Sequence, residues 1–206
     1  MGAPLMIVLL ILGAYLLGSI PVGVLVGRAF GFDPRATGSG NIGMTNVARS
    51  GGKTAAALTF GGDLLKGLIP VAAIRAQGFP PLVLAMVGFA AFVGSITSIF
   101  LLFKGGRGVS TSVGVWLGLA PLPIGISILV FLVMLATTRI VSLASISAAI
   151  ALPPAVAAGG CPRPYLLLAI LMSALVLLRH HENIRRLINR EEPTIGSSKA
   201  RSGSKP

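Results

Sequence analysis

Long runs without a charge alternate along this chain with short basic or glycine-rich segments. The hydrocarbon core of a bilayer is about 30 Å thick and takes roughly 20 apolar residues as a helix. Residues 1–26 form the first such run, bent at Gly18-Ser19-Ile20-Pro21 and with no Lys or Arg before Arg28. Lacking the basic head of a secretory signal, it is expected to be a retained span. Further runs cover residues 54–74, 82–103, 140–158 and 165–178. Residues 109–138 would make about 45 Å of helix at 1.5 Å per residue. Pro121-Leu122-Pro123 falls near their middle, so they read as one broken span or two short ones.

The positions of the cations arbitrate, because Lys and Arg gather on the cytoplasmic side of membrane proteins. With two short spans, Arg28, Arg35, Arg49, Lys53, Lys104, Arg107, Arg139, Arg179, Arg185, Arg186 and Arg190 share one face, and only Arg75 and Arg163 lie opposite. The expected fold is therefore an all-α polytopic membrane protein of about seven helices, some short or broken, with its N-terminus out and its C-terminus in. A six-span alternative moves Arg139 and the basic C-terminal segment to the outer face. Residues 1–192 are expected to form a single transmembrane domain, and 193–206 a disordered cytoplasmic tail with too little apolar surface to offset its ordering entropy.

Composition narrows the function. With 54% hydrophobic and 11% charged residues, the chain is far too apolar for a water-soluble enzyme. The formal net charge of +12 would point to nucleic acid on a soluble chain. Here the cations are separated by apolar spans, which favours a membrane surface or anionic substrates and discounts nucleic acid. Cys161 is the single cysteine, and His180 and His181 are the only histidines. Neither an internal disulfide nor a cysteine or histidine metal cluster is available, so no metal and no cofactor is expected.

Three segments carry candidate chemistry. In the first, Gly38, Gly40 and Gly43 permit tight turns, while Ser39, Asn41, Thr45 and Asn46 offer neutral hydrogen bonds and Arg49 a planar fork for phosphate. This is the inventory of an oxyanion cradle, and equally that of a polar glycine-rich connector. In the second, Lys104, Gly105, Gly106, Arg107 and Gly108 precede a helix start, where free N–H groups and the helix dipole favour an anion. A basic turn anchoring two spans is the simpler alternative, although it leaves the glycines unexplained. The third, residues 179–192, continues the last apolar run, and at helical spacing His180 and Asn183 share a face. An amphipathic juxtamembrane helix binding lipid headgroups would also account for it. At membrane depth, Asp63 and Lys66 stand three apart and are costly unless paired. Ser142, Ser145 and Ser147 open a span, where serine more often serves helix packing.

The motifs GSGNIGMTNVAR, DLLKG, FKGGRGVST, SLAS and RHHENIRRL occur in this order from residue 38 to 187. Together they resemble the bacterial membrane-integral glycerol-3-phosphate acyltransferases that use acyl phosphate as donor, the PlsY family. The resemblance spans about residues 15–192. It implies a multi-pass enzyme of the bacterial inner membrane, with its active site facing the cytoplasm and without coenzyme A or metal. Its substrates would be acyl phosphate and sn-glycerol 3-phosphate, and its products lysophosphatidate and inorganic phosphate in phospholipid biosynthesis. Membrane lipid is the expected surrounding partner, and a monomer the simplest assembly. On the same resemblance, the phosphate and glycerol contacts fall on Ser39, Arg49, Arg107, Ser145, His180 and Asn183. Lys104 and glycines 105, 106 and 108 border the acyl phosphate, and Asp63, Lys66, Ser142 and Glu192 support the site.

The chain also departs from the family's pattern. Its usual Gly-His reads Gly94-Ser95, the following proline is Ser98, the second cation of the glycine motif is Arg107 rather than Lys, and the closing Gly-Thr-Glu is Arg190-Glu191-Glu192. Two other readings use the same residues: a transporter of phosphorylated metabolites, and a non-catalytic lipid-binding relative.

Overall fold

The computed structural model describes residues 2–196, and all regular structure among them is helical. The elements are α1 (Ala3–Ser19), α2 (Val22–Ala29), α3 (Met44–Ala76), α4 (Pro81–Ile96), a 3-10 turn (Ile99–Leu101), α5 (Val109–Leu119), α6 (Pro121–Thr138), α7 (Val141–Ala158), α8 (Arg163–Arg179) and α9 (His181–Ile188). Five apolar segments are long enough to cross a membrane: α1 with α2, α3, α4 with the 3-10 turn, α6 and α7. The bent pair α8–α9 makes a sixth, and the shorter apolar α5 completes seven segments. The stretch expected to be broken near Pro121 divides at Ala120, whose φ of −152° and ψ of 86° end one helix before Pro121 opens the next. Only Arg139 and Ile140 separate α6 from α7, which pack side by side.

Each break exposes backbone carbonyls that a soluble protein would leave to water and that a bilayer core cannot satisfy. Side chains from other helices reach them. Between α1 and α2, the Ser98 hydroxyl donates to the Ser19 carbonyl at 2.5 Å and the Lys66 ammonium to the Ile20 carbonyl at 3.1 Å. At the α5–α6 break, the Arg75 guanidinium donates to the Gly118 and Leu119 carbonyls at 2.7 and 3.2 Å. The α3 helix is itself interrupted at Gly52, whose φ of 77° is left-handed, so its first two turns form a separate arm.

Backbone-to-backbone approach determines the packing. A Cβ on Gly67 would strike the Thr111 carbonyl, and one on Gly114 the Leu64 carbonyl, so α3 and α5 meet through reciprocal glycines. Gly18 and Gly94 perform the same service for α1 and α4. Small residues of this kind replace the hydrophobic driving force that helices lack inside lipid. The packed centre holds Phe92, Val115, Trp116, Val156 and Met172, with Trp116 edge-on to Tyr165 at 6.4 Å between ring centres. The outward surface is apolar as well, with Leu5, Leu12, Leu122, Leu129 and Leu167 all exposed, as expected of helices that face lipid.

One expectation needs correction. Residues 179–192 do not continue the last apolar helix, because the chain bends by 60° at His180 and α9 departs in a new direction. The His180 N–H bonds to the Leu177 carbonyl, closing the last turn of α8. Of the segment expected to be a disordered tail, residues 193–196 are described, and the Ile195 N–H donates to the Arg139 carbonyl at 2.8 Å. The remainder lies outside the described residues.

The close approach of α3 and α5 leads to a test. Gly114→Ala should destabilise the protein by about 1–3 kcal/mol through overpacking, read as a lowered Tm in detergent. Gly125→Ala, where nothing lies within 4 Å, should leave Tm unchanged or slightly higher.

Candidate active site

The α2–α3 loop, the α4–α5 loop, the first turn of α7 and the α8–α9 bend meet at one end of the bundle around a cavity of about 850 Å³. Its polar mouth narrows into an apolar wall formed by Ile124, Ile128, Phe131 and Leu132 of α6 with Ala148 and Leu152 of α7.

The first loop is organised by Asn46. This buried side chain in the first turn of α3 donates from Nδ2 to the Pro34 and Thr37 carbonyls at 2.7 and 3.0 Å, and its Oδ1 accepts the Ser39 N–H at 2.9 Å. Asn46 borders the cavity, but its amide is committed to shaping the loop, so it is not the substrate contact expected. Asn41 accepts the Gly43 N–H through Oδ1 at 2.8 Å, which leaves its NH2 group for another acceptor. Gly38 must be glycine, since its φ is 56° and a Cβ would press on Asn46 Oδ1. Gly38, Ser39, Asn41, Thr45 and Arg49 line the cavity, whereas Gly40, at a left-handed φ of 69°, does not. Arg49 is exposed at the mouth.

In the second loop, Gly106, Arg107 and Gly108 line the cavity, followed by Ser110, Thr111 and Ser112 in the opening turn of α5. Lys104 and Gly105, expected at the donor phosphate, do not. Leu102 and Phe103 occupy left-handed conformations with φ of 52° and 64°, and this turn carries Lys104 outward. Gly105 lies so close to the Ile96 backbone that a Cβ would overlap it. Arg107 is partly buried and forms no ion pair among the described residues. Burial lowers its pKa, so an approaching anion meets a cation short of water.

The third group is assembled by Glu192. Its carboxylate accepts the Ser142 hydroxyl at 2.7 Å, the Asn183 amide at 2.5 Å and the Arg186 Nε–H at 2.6 Å, drawing α7, α9 and the C-terminal segment together. Burial pushes the Glu192 pKa up, but those hydrogen bonds outweigh it and hold the carboxyl below its ordinary value. Asn183 donates its NH2 to Glu192, and its buried Oδ1 has no hydrogen-bond partner among the described residues. His180 Nδ1 lies 2.8 Å from the Val176 carbonyl. A carbonyl only accepts, so Nδ1 bears the hydrogen and Nε2 keeps a lone pair. His180 stands in the break between α8 and α9, where it is buried and borders the cavity. Ser145 donates to the Val141 carbonyl at 2.9 Å and borders the cavity.

Asp63 and Lys66 form a buried ion pair of 2.8 Å on the α3 wall. With Lys66 also bonded to the α1–α2 break, the pair fastens the wall and only borders the cavity. Ser95, noted in the sequence as a departure from the family's Gly-His, lines the cavity. The α6 wall carries no motif, since an apolar span looks alike on every face. Arg186 is visible only as one of several arginines until Glu192 is seen opposite it.

Among the described residues, this broken-helix bundle gathers at a cavity mouth arginines without an ion pair and the helix-start amides of α5, groups that can receive an anion. The comparisons make the class specific. The family profile described as Glycerol-3-phosphate acyltransferase matches residues 8–190. Glycerol-3-phosphate acyltransferases of Geobacter sulfurreducens and Geotalea daltonii are 51% and 48% identical to it, over 84% and 87% of this chain and 90% and 93% of theirs. The chain also resembles the crystal structure of PlsY (YgiH), an integral membrane glycerol 3-phosphate acyltransferase, in its glycerol 3-phosphate form. The TM-score is 0.89 at 40% identity, over 93% of this chain and 96% of that one. The lysophosphatidic acid form of that enzyme gives a TM-score of 0.87. The chain belongs to the glycerol-3-phosphate acyltransferase family.

The Glu192 cluster implies a pH dependence. A carboxyl whose pKa is lowered on folding contributes stability that is complete above its ordinary value of 4.5 and is lost as pH falls through the lowered one. Amide protection factors across residues 183–195, which are corrected for the intrinsic pH dependence of exchange, should therefore fall below pH 4.5 in the wild-type protein. In Glu192→Gln they should be lower at neutral pH and nearly independent of pH in this range.

Proposed function

We propose that this protein transfers a fatty acyl group from acyl phosphate to the 1-hydroxyl of sn-glycerol 3-phosphate, releasing lysophosphatidate and inorganic phosphate. The observation that carries the reading is the cavity itself: two arginines without carboxylate partners, Arg49 and Arg107, stand at a polar mouth continuous with an apolar wall. That shape suits two phosphates and one hydrocarbon chain.

Acyl phosphate is a mixed anhydride and already activated, so the protein need not form an acyl intermediate of its own. It must hold the attacking hydroxyl near the carbonyl carbon and neutralise charge. Arg49, Ser39 and the Asn41 amide are placed for the phosphate of glycerol 3-phosphate, and Ser145 borders the same space. Arg107, Gly106, Gly108 and the first amides of α5 are placed for the phosphate of the donor. The unpartnered Asn183 Oδ1 can accept a glycerol hydroxyl. As the hydroxyl oxygen bonds to the acyl carbon, the acyl–phosphate C–O bond breaks and its electron pair leaves with the phosphate. The hydroxyl proton passes to the departing phosphate, with His180 Nε2 as a neighbouring base. Positioning dominates over base catalysis, because the departing phosphate can itself take the proton.

We place the site at the cytoplasmic face of the bacterial inner membrane. The mouth collects the cationic loops, while Arg75 and Arg163 stand at the other end, and positive charge favours the inside. Cys161, in the loop before α8 at that other end, offers a test. An impermeant maleimide should label Cys161 in intact spheroplasts, and should label Lys104→Cys in a Cys161→Ser background only after permeabilisation. The reverse pattern would invert the orientation.

The chemistry is tested with purified protein supplied with acyl phosphate or acyl-CoA. Turnover is expected with acyl phosphate alone, and turnover only with acyl-CoA would refute the donor assignment. Arg49→Ala should raise the KM for glycerol 3-phosphate by about tenfold or more, the worth of a charge-assisted hydrogen bond, with Tm unchanged. An unaltered KM would remove Arg49 from the site.

A further inference from the structure

Arg179 is the last residue of α8 and does not line the cavity. Its guanidinium nevertheless reaches across to the α4–α5 loop, donating from Nη2 to the Gly105 carbonyl at 2.8 Å and from Nε to the Gly106 carbonyl at 3.1 Å. The opposite polarity of the same loop is fixed by the Gly106 N–H, which donates to the Ser95 carbonyl at 3.0 Å. A stretch of Gly105-Gly106-Arg107-Gly108 has little intrinsic preference for any one conformation. These three bonds supply one, and two of them come from a single side chain. With the carbonyls of Gly105 and Gly106 occupied by Arg179, the chain that follows presents Arg107, Gly108 and the acceptor-free amides of the α5 first turn to the cavity.

The contact also links two parts of the site. Arg179 immediately precedes His180, and Gly106 immediately precedes Arg107. A planar guanidinium suits two adjacent carbonyls, whereas a lysine ammonium can serve them only as a point donor. We propose that Arg179 is a positioning residue: by gripping the Gly105 and Gly106 carbonyls it sets Arg107 and the α5 amides against the donor phosphate, in fixed register with His180. This rests on the acyl-phosphate reading above.

The test compares wild-type protein with Arg179→Gln and Arg179→Lys in detergent or nanodiscs, varying acyl phosphate and glycerol 3-phosphate separately and following amide exchange across residues 105–110. In Arg179→Gln, kcat/KM for acyl phosphate should fall by about tenfold to a hundredfold, the scale of a loop displaced by an ångström. The KM for glycerol 3-phosphate should stay within about twofold, and exchange in the loop should accelerate. Arg179→Lys should recover part of the loss, and it carries the test alone if the glutamine variant does not fold. Wild-type kinetics in the variants, an equal loss for both substrates, or unchanged loop exchange would each overturn the proposal. Wild-type protein inactive with acyl phosphate would overturn the donor assignment instead. Loop exchange, which needs no donor, then decides on Arg179: faster exchange in the variants supports its role, and unchanged exchange refutes it.

Discussion

A bilayer offers no water to the ends of a broken helix, and this constraint organises the whole molecule. The chain breaks its helices repeatedly, at Ile20-Pro21, Gly52, Ala120 and His180. Each break costs backbone hydrogen bonds that must be replaced from elsewhere in the protein. Lys66 and Ser98 answer the first, and Arg75 answers the third. The free end at the start of α5 is treated differently, for its amides open onto the cavity. What would be a defect within a membrane becomes, at the mouth, a fixed array of donors.

The charges follow the same economy. Asp63 and Lys66, inside the bundle, satisfy each other at 2.8 Å. Glu192 is surrounded by a hydroxyl, an amide and a guanidinium. Among the described residues, the partly buried Arg107 and the buried Asn183 Oδ1 at the cavity stand apart from these matched groups. Among the described residues, the buried side-chain atoms without a hydrogen-bond partner are Asn183 Oδ1 at the cavity and two elsewhere, Ser19 Oγ and Trp116 Nε1. The proposed reaction requires little more than this: two anions drawn together, a hydroxyl oriented, and a leaving group that carries its own charge.

Much of this was legible in the sequence. The apolar runs outline the bundle, and Pro121 marks the division of the long central stretch. Ser39, Arg49, Arg107, Ser145, His180 and Asn183, drawn from four separate motifs, all border one cavity. Lys104 and Asn46 were misjudged for a physical reason: residue type tells what a side chain can bind, not which groups have already bound it. Two consecutive left-handed residues turn Lys104 away, and the local carbonyls claim Asn46. The bend at His180 was hidden because α8 and α9 have no proline or glycine between them. The apolar wall of α6 gave no signal, since lipid-facing and cavity-facing residues are the same types.

The attachment of Glu192 has a bearing on where the working unit ends. The last helix stops at Ile188, and a boundary drawn there from hydropathy would look natural. Yet the carboxylate that holds Asn183 and Arg186 in place lies four residues further on, in a stretch with no regular structure. A gene shortened to its last membrane helix would still encode every helix, and would deliver an assembled scaffold whose C-terminal wall had lost its clasp.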